Sequence, residues 1–139
     1  MNISVSSILL YSIVGAFVLV YLPFLVVGYH RFKVGPEALK NPRAMSDKLP
    51  EIAQRATAAH QNSLEAFAFF TAAALMAYVS GVNSTVAIGA AIAFLVARLL
   101  YSIFYIANVA VARSLMFAIG SISIFTLFGL SLVAANSSV

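Results

Sequence analysis

Four stretches of this chain, predominantly apolar although the second is so only from Ala66 onward, each run for about 20 residues or more, the length a helix needs to cross a bilayer core of about 30 Å. The first lies at about Val5 to Tyr29, the second from about Glu51 to Ser80, the third from about Thr85 to Ala107, and the fourth from about Ser114 to Ala134. Composition agrees: of 139 residues, 63% are hydrophobic and only 9% charged, where a soluble domain carries roughly 25% charged residues. Mean hydropathy is +1.01. Lipid is the expected solvent, and the expected fold is an all-α integral membrane four-helix bundle running up-down-up-down.

The first span lacks a basic segment ahead of it and a small-residue cleavage site behind it, so it is expected to stay in the mature protein. Pro23 predicts a bend there, tolerable in lipid where neighbours satisfy the freed carbonyl. From His30 to Leu49 the composition reverses, with Arg31, Lys33, Glu37, Lys40, Arg43, Asp47 and Lys48 interrupted by Gly35-Pro36 and Asn41-Pro42. This segment reads as a loop in water or headgroups. Asp47 is a candidate cap for the second helix, with Pro50 in its first turn. Gly81-Val82-Asn83-Ser84 predicts an uncharged turn, and a tight link around Asn108 to Ala112 leads to Arg113. The whole, residues 1–139, reads as one transmembrane domain without repeats.

No cysteine is present, which excludes disulfides, thiolate metal sites and a cysteine nucleophile. No other residues stand at metal-ligand spacing; His60 has no second ligand near it and reads as a structural or headgroup contact. The net charge of +4 does not indicate nucleic acid, because no basic stripe interleaved with aromatics accompanies it. Five Lys or Arg fall in the loop between the first two spans, and Arg113 follows the third. The other loops and the tails have none, so that loop is expected on the cytosolic side, with both termini extracytoplasmic.

An ionisable group at membrane depth is costly and marks a functional site by default. At 100° per residue, Arg55, Asn62 and Glu65 share an arc of roughly 80° on the second span, with Phe69 extending it and His60 opposite. On the third span Arg98, Tyr101 and Tyr105 share another narrow arc. Structural alternatives stand beside each. Glu65 and Arg98 could form an interhelical ion pair, the tyrosines could be interface-belt residues, Arg113 a positive-inside anchor, and Phe67 to Phe70 lipid-facing or core packing.

In combination these residues have a counterpart. Arg55-x-x-x-Ala59-His60-x-Asn62-x-x-Glu65-Ala66-Phe67, then Ala97-Arg98-x-x-Tyr101-x-x-x-Tyr105 one span later, then Arg113-Ser114, resembles the MAPEG family, the membrane-associated proteins in eicosanoid and glutathione metabolism. The resemblance runs from His30 to the end of the fourth span. It implies a homotrimer, with glutathione held between neighbouring subunits and opening toward the cytosolic half. Asn62 and Glu65 match residues that hold the tripeptide's polar backbone and amino end. Tyr101 and Tyr105 match the opposing wall, Arg98 the arginine buried beside them, and Arg31 an arginine offered to the peptide's carboxylates. Arg113 matches the arginine credited with stabilising the glutathione thiolate, which makes it the catalytic candidate. Ala58 and Gln61 stand where several relatives place arginines, and Phe117 where some have tyrosine.

Physical chemistry supports that last role. A free thiol ionises near a pKa of about 8.5 and the thiolate is the nucleophile. A guanidinium beside the sulfur favours the anion and stays charged at any working pH. The function implied is a glutathione-dependent transferase or peroxidase, whose lipophilic second substrate arrives through membrane lipid. The alternative is a non-catalytic lipid-binding or scaffolding member of the same family. A small multidrug transporter is a weaker match, because the first span has no carboxylate.

The charge asymmetry gives the first prediction. Cysteines introduced at Ser4 and Ser137 should react with an impermeant thiol reagent in intact cells; protection of both, with labelling in the charged loop, reverses the orientation.

Overall fold

The computed structural model describes residues 3–137. It is all-helical in its regular structure: α1 (Val5–Val34), α2 (Pro36–Lys40), a 3-10 turn (Ser46–Lys48), α3 (Glu51–Val79), α4 (Thr85–Ile106) and α5 (Ala110–Ser137). Helices α1, α3, α4 and α5, of 30, 29, 22 and 28 residues, are each long and apolar enough to cross a membrane. They form the four-helix bundle of an integral membrane protein.

The boundaries differ from the sequence expectation at the end of α1 and at both ends of α5, which runs past Ala134 to Ser137. Helix α1 continues past Tyr29 to Val34, so Arg31 and Lys33 occupy its last turn, where cations complement the helix dipole. Helix α5 begins at Ala110 rather than Ser114, which puts Arg113 in its first turn and not in a loop. Helix α3 begins at Glu51 as expected, but its capping differs. Pro50 is its N-cap residue and Asp47 lies in the 3-10 turn, so Asp47 does not cap it. Gln54 instead reaches back, its Nε2 donating to the carbonyls of Leu49 at 2.9 Å and Asp47 at 3.3 Å.

The ends of α3 and α4 are closed alike. After α3, Gly81 takes φ 70°; its N–H bonds the Tyr78 carbonyl at 3.2 Å and the Val82 N–H bonds that of Ala77 at 3.0 Å. After α4, Asn108 takes φ 61°, with N–H bonds from Asn108 to Tyr105 at 3.1 Å and from Val109 to Phe104 at 2.8 Å. Both are Schellman closures, which need a left-handed residue just past the helix and satisfy carbonyls that lipid could not.

Around the bundle, α1 packs chiefly on α3 and α4 on α5, while α1 makes no contact with α5 among the described residues. Helices α3 and α4 therefore form the short diagonal. Their approach is close because the inward residues are small: Ala53, Ala56, Ala59, Ser63, Ala73, Ala74 and Ala77 on α3, and Ala87, Ala90, Ala91 and Ala97 on α4. Small residues at helix contacts are how membrane bundles gain packing where no hydrophobic drive separates helix from lipid. Phe70 and Phe94 stack across this diagonal, ring centres 4.0 Å apart and planes within 6°, both fully buried. His60 Nδ1 donates to the Val20 carbonyl at 2.8 Å, next to Leu19, whose carbonyl Pro23 cannot serve. A structural contact from His60 was the expectation.

Truncating the stacked ring should test the diagonal. Phe70→Ala should lower stability in detergent by on the order of 2 kcal/mol, less than the roughly 3–5 kcal/mol of a soluble core, because lipid solvates the ring while the cavity term remains. Thermal unfolding followed by circular dichroism measures it.

Candidate functional site

Arg98 stands on the face of α4 that turns toward α3, and it is buried, 4% exposed. Its Nη2 donates to Asn62 Oδ1 at 3.0 Å and to Ser63 Oγ at 3.2 Å. Its guanidinium carbon lies 4.0 Å from the centre of the Tyr101 ring one turn on. Helix α5 closes the third side: a Cβ on Gly120 would stand 3.6 Å from Arg98 Cδ. An interhelical ion pair to Glu65 was one expectation. The structure corrects it, since Arg98 takes the amide and hydroxyl of neighbouring α3 residues, and Glu65 is exposed with no ion pair or hydrogen bond among the described residues.

Asn62, Glu65 and Arg98 form the polar end of a cavity of about 380 Å³ between α3, α4 and α5. Five phenylalanines, Phe69, Phe94, Phe117, Phe125 and Phe128, dominate the rest, with Ile124, two small residues and the hydroxyl of Ser121 between them. Phe69 and Phe125 are more than half exposed, so the apolar end opens sideways at the depth of lipid tails. The chamber therefore suits an amphiphilic occupant or two molecules of opposite character.

A second row climbs from Arg98 toward the charged loop. The Tyr101 and Tyr105 rings meet edge to face at 5.6 Å, and the Arg113 guanidinium lies 4.5 Å above the Tyr105 ring. Cations are favourable over such ring faces, and Arg113 needs the contact, because a positive side chain in the first turn of α5 opposes the helix dipole. Arg55 completes this end: its Nε donates to the Ile106 carbonyl at 3.0 Å and its Nη1 lies 3.6 Å from Glu51.

Arg31 stands apart. Its Nη2 donates to the Pro42 carbonyl at 3.4 Å and its guanidinium lies 5.9 Å from the Phe24 ring, on the α1 side of the bundle and outside the cavity. Thus Asn62, Glu65, Arg98 and Tyr101 come together within one chain, Tyr105 and Arg113 continue from them, and Arg31 does not join. The sequence did not single out Ser63. Its one signal is position, since it continues the inward row of Ala56 and Ala59 and follows Asn62. No group of three or more potential metal ligands occurs among the described residues.

A family model, described as the MAPEG family, matches residues 8–133. No curated protein and no solved structure matches the chain.

The closeness of α5 to Arg98 can be tested at Gly120. Gly120→Ala adds a Cβ at ordinary contact distance and should stabilise by roughly 0.5–1 kcal/mol through helix propensity. Gly120→Leu should drive further atoms against Arg98 and Phe94 and cost about 1–3 kcal/mol. The two thermal midpoints, moving in opposite directions, are the measurement.

Proposed function

The chain belongs to the MAPEG family, and from that premise we propose that it is a glutathione-dependent membrane transferase or peroxidase acting on lipophilic electrophiles or lipid hydroperoxides. The observation that carries this is the juxtaposition of a polar cluster, Asn62, Glu65 and Arg98, with an apolar chamber open toward lipid. Glutathione is a charged water-soluble peptide and its second substrate an apolar one, so a reaction between them needs both environments within reach of one sulfur.

Each side chain has chemistry suited to its part. Glu65 offers a carboxylate to the ligand's ammonium, Asn62 an amide to its peptide groups, and Tyr101 and Tyr105 a wall. Arg113 would face the sulfur, and its place in the first turn of α5 adds unpaired helix N–H groups to its charge. Both favour a thiolate over a thiol. The thiolate would then add to a carbon electrophile, or attack the outer oxygen of a peroxide, breaking the O–O bond, releasing the alcohol and leaving the sulfur as a sulfenic acid. In the second case a second glutathione thiol displaces water from that sulfenic acid to give the disulfide, so the two thiols together supply the two electrons.

Arg31 would come from a neighbouring subunit of a homotrimer. Support for assembly lies on α3, where Gln61 and Glu65 are exposed on the single chain within a membrane-spanning helix. Polar groups at that depth usually face protein or a water-filled cavity, and a second copy would provide that setting. In this arrangement the charged loop and the polar end of the site lie on the cytosolic side. The predominance of phenylalanine in the chamber also suits a lipid-binding protein without turnover.

Binding and chemistry separate at Arg113. Glutathione added to the protein near neutral pH should produce thiolate absorbance in the ultraviolet difference spectrum. Arg113→Ala should remove that absorbance while keeping much of the affinity. The loss of a charge-assisted contact is about 1.5–3 kcal/mol, or roughly one to two pKa units at the sulfur. Binding with no thiolate signal in the wild type, and no effect of Arg113→Ala, would favour the lipid-binding alternative.

A further inference from the structure

Arginine has five N–H donors and no acceptor. Contact between Arg98 Nη2 and the side chain of Asn62 at 3.0 Å therefore decides which end of that amide turns inward. Oδ1 must face Arg98, and Nδ2, a pure donor, is left to face away. A flipped amide would set donor against donor. The same Nη2 also reaches Ser63 Oγ at 3.2 Å, so one nitrogen on α4 grips two consecutive residues of α3. The guanidinium cannot easily swing off, with Tyr101 against one face and its stem beneath Gly120.

Asn62 lines the cavity and so does Glu65, three residues later on the same helical face. With Asn62 held as a donor, its N–H groups stand on the same helical face as the Glu65 carboxylate, an acceptor, while Arg98, which also lines the cavity, spends its Nη2 on Asn62 and Ser63. We propose that Arg98 is a positioning residue that sets this polarity through Asn62, rather than a residue that holds the ligand itself. A donor beside an acceptor fits a ligand whose carbonyl or carboxylate lies next to an ammonium, and an inverted amide would present two acceptors and repel that carboxylate. Ser63 is the second half of the grip. For glutathione as the ligand this rests on the function proposed above; the orientation of the amide does not.

The experiment uses the full chain in lipid nanodiscs, with two measurements. Side-chain amide relaxation of Asn62, assigned by its loss in Asn62→Ala, reads the grip without any ligand. The amide should be as rigid as the backbone in the wild type, with an order parameter of about 0.85, and should fall below about 0.6 in Arg98→Gln. Arg98→Lys, which keeps a cationic donor, should restore part of the order, and serves if Arg98→Gln does not fold. Calorimetric titration of glutathione then completes a double-mutant cycle. Arg98→Gln should weaken binding by about tenfold in the wild-type background and by less than about twofold in Asn62→Ala. Equal weakening in both backgrounds means that Arg98 touches the ligand directly and overturns the proposal, as does an Asn62 amide equally rigid with and without Arg98. A wild type that does not bind glutathione refutes the proposed function, while the relaxation measurement still decides the role of Arg98.

Discussion

Inside a bilayer no water is available to a polar group that lacks a protein partner, so a buried guanidinium must be met by other helices. Arg98 is that group here. It draws an amide and a hydroxyl from α3, rests on an aromatic ring of its own helix, and takes the close approach of α5. None of these partners carries the opposite charge, so Glu65 is not consumed in neutralising it. The small residues along α3 and α4 bring the two backbones near enough for the grip, and the Phe70–Phe94 stack fixes their register deeper in the bundle. The cavity lies directly beside this junction, which gives its polar end a fixed shape and leaves its apolar end to more exposed side chains.

Much of this was legible in the sequence, and the reasons are physical. Long apolar runs with few charges have one stable form in lipid, so the four spans could be placed by counting. Gly81 and Asn108 announced the two short links through the left-handed conformations they tolerate. Helical periodicity put Asn62 on the same arc as Glu65, and Arg98 on that of Tyr101. What periodicity cannot supply is the partner across an interface. Glu65 and Arg98 are complementary in charge, yet the contact made is with Asn62 and Ser63, because reach and rotation between two helices decide it. Ser63 was invisible as one hydroxyl among many. The helical placement of Arg113 was missed because a basic residue is a poor sign of a helix beginning, and its stabilising partner, the Tyr105 ring, comes from the preceding helix.

Arg31 shows the same limit from another side. The sequence placed it in the loop after the first span, whereas it lies in the last turn of α1, and its neighbours within one chain are Pro42 and Phe24, outside the cavity that Asn62 lines. The exposed polar side chains of α3 and the outlying position of Arg31 have a common explanation if the surface of one chain is completed by another. A carboxylate at membrane depth is costly facing lipid and tolerable facing protein or a water-filled cavity, which is the setting the assembly proposed above would give Glu65.

The packing of the helices also divides the chain into two halves. Helices α1 and α3 are a hairpin closed by the charged loop, α4 and α5 a hairpin closed at Asn108, and α1 and α5 never meet among the described residues. The halves meet where α1 packs on α4, α3 on α5 and α3 on α4, and the chain joins them only through the few residues after Val79. A gene cut within Asn83-Ser84 would thus yield two polypeptides, each a self-paired insertion unit with an even number of crossings. Neither piece could carry the site, because its amide belongs to one and its guanidinium to the other, and the polar chamber would come into being only when the two pieces find each other.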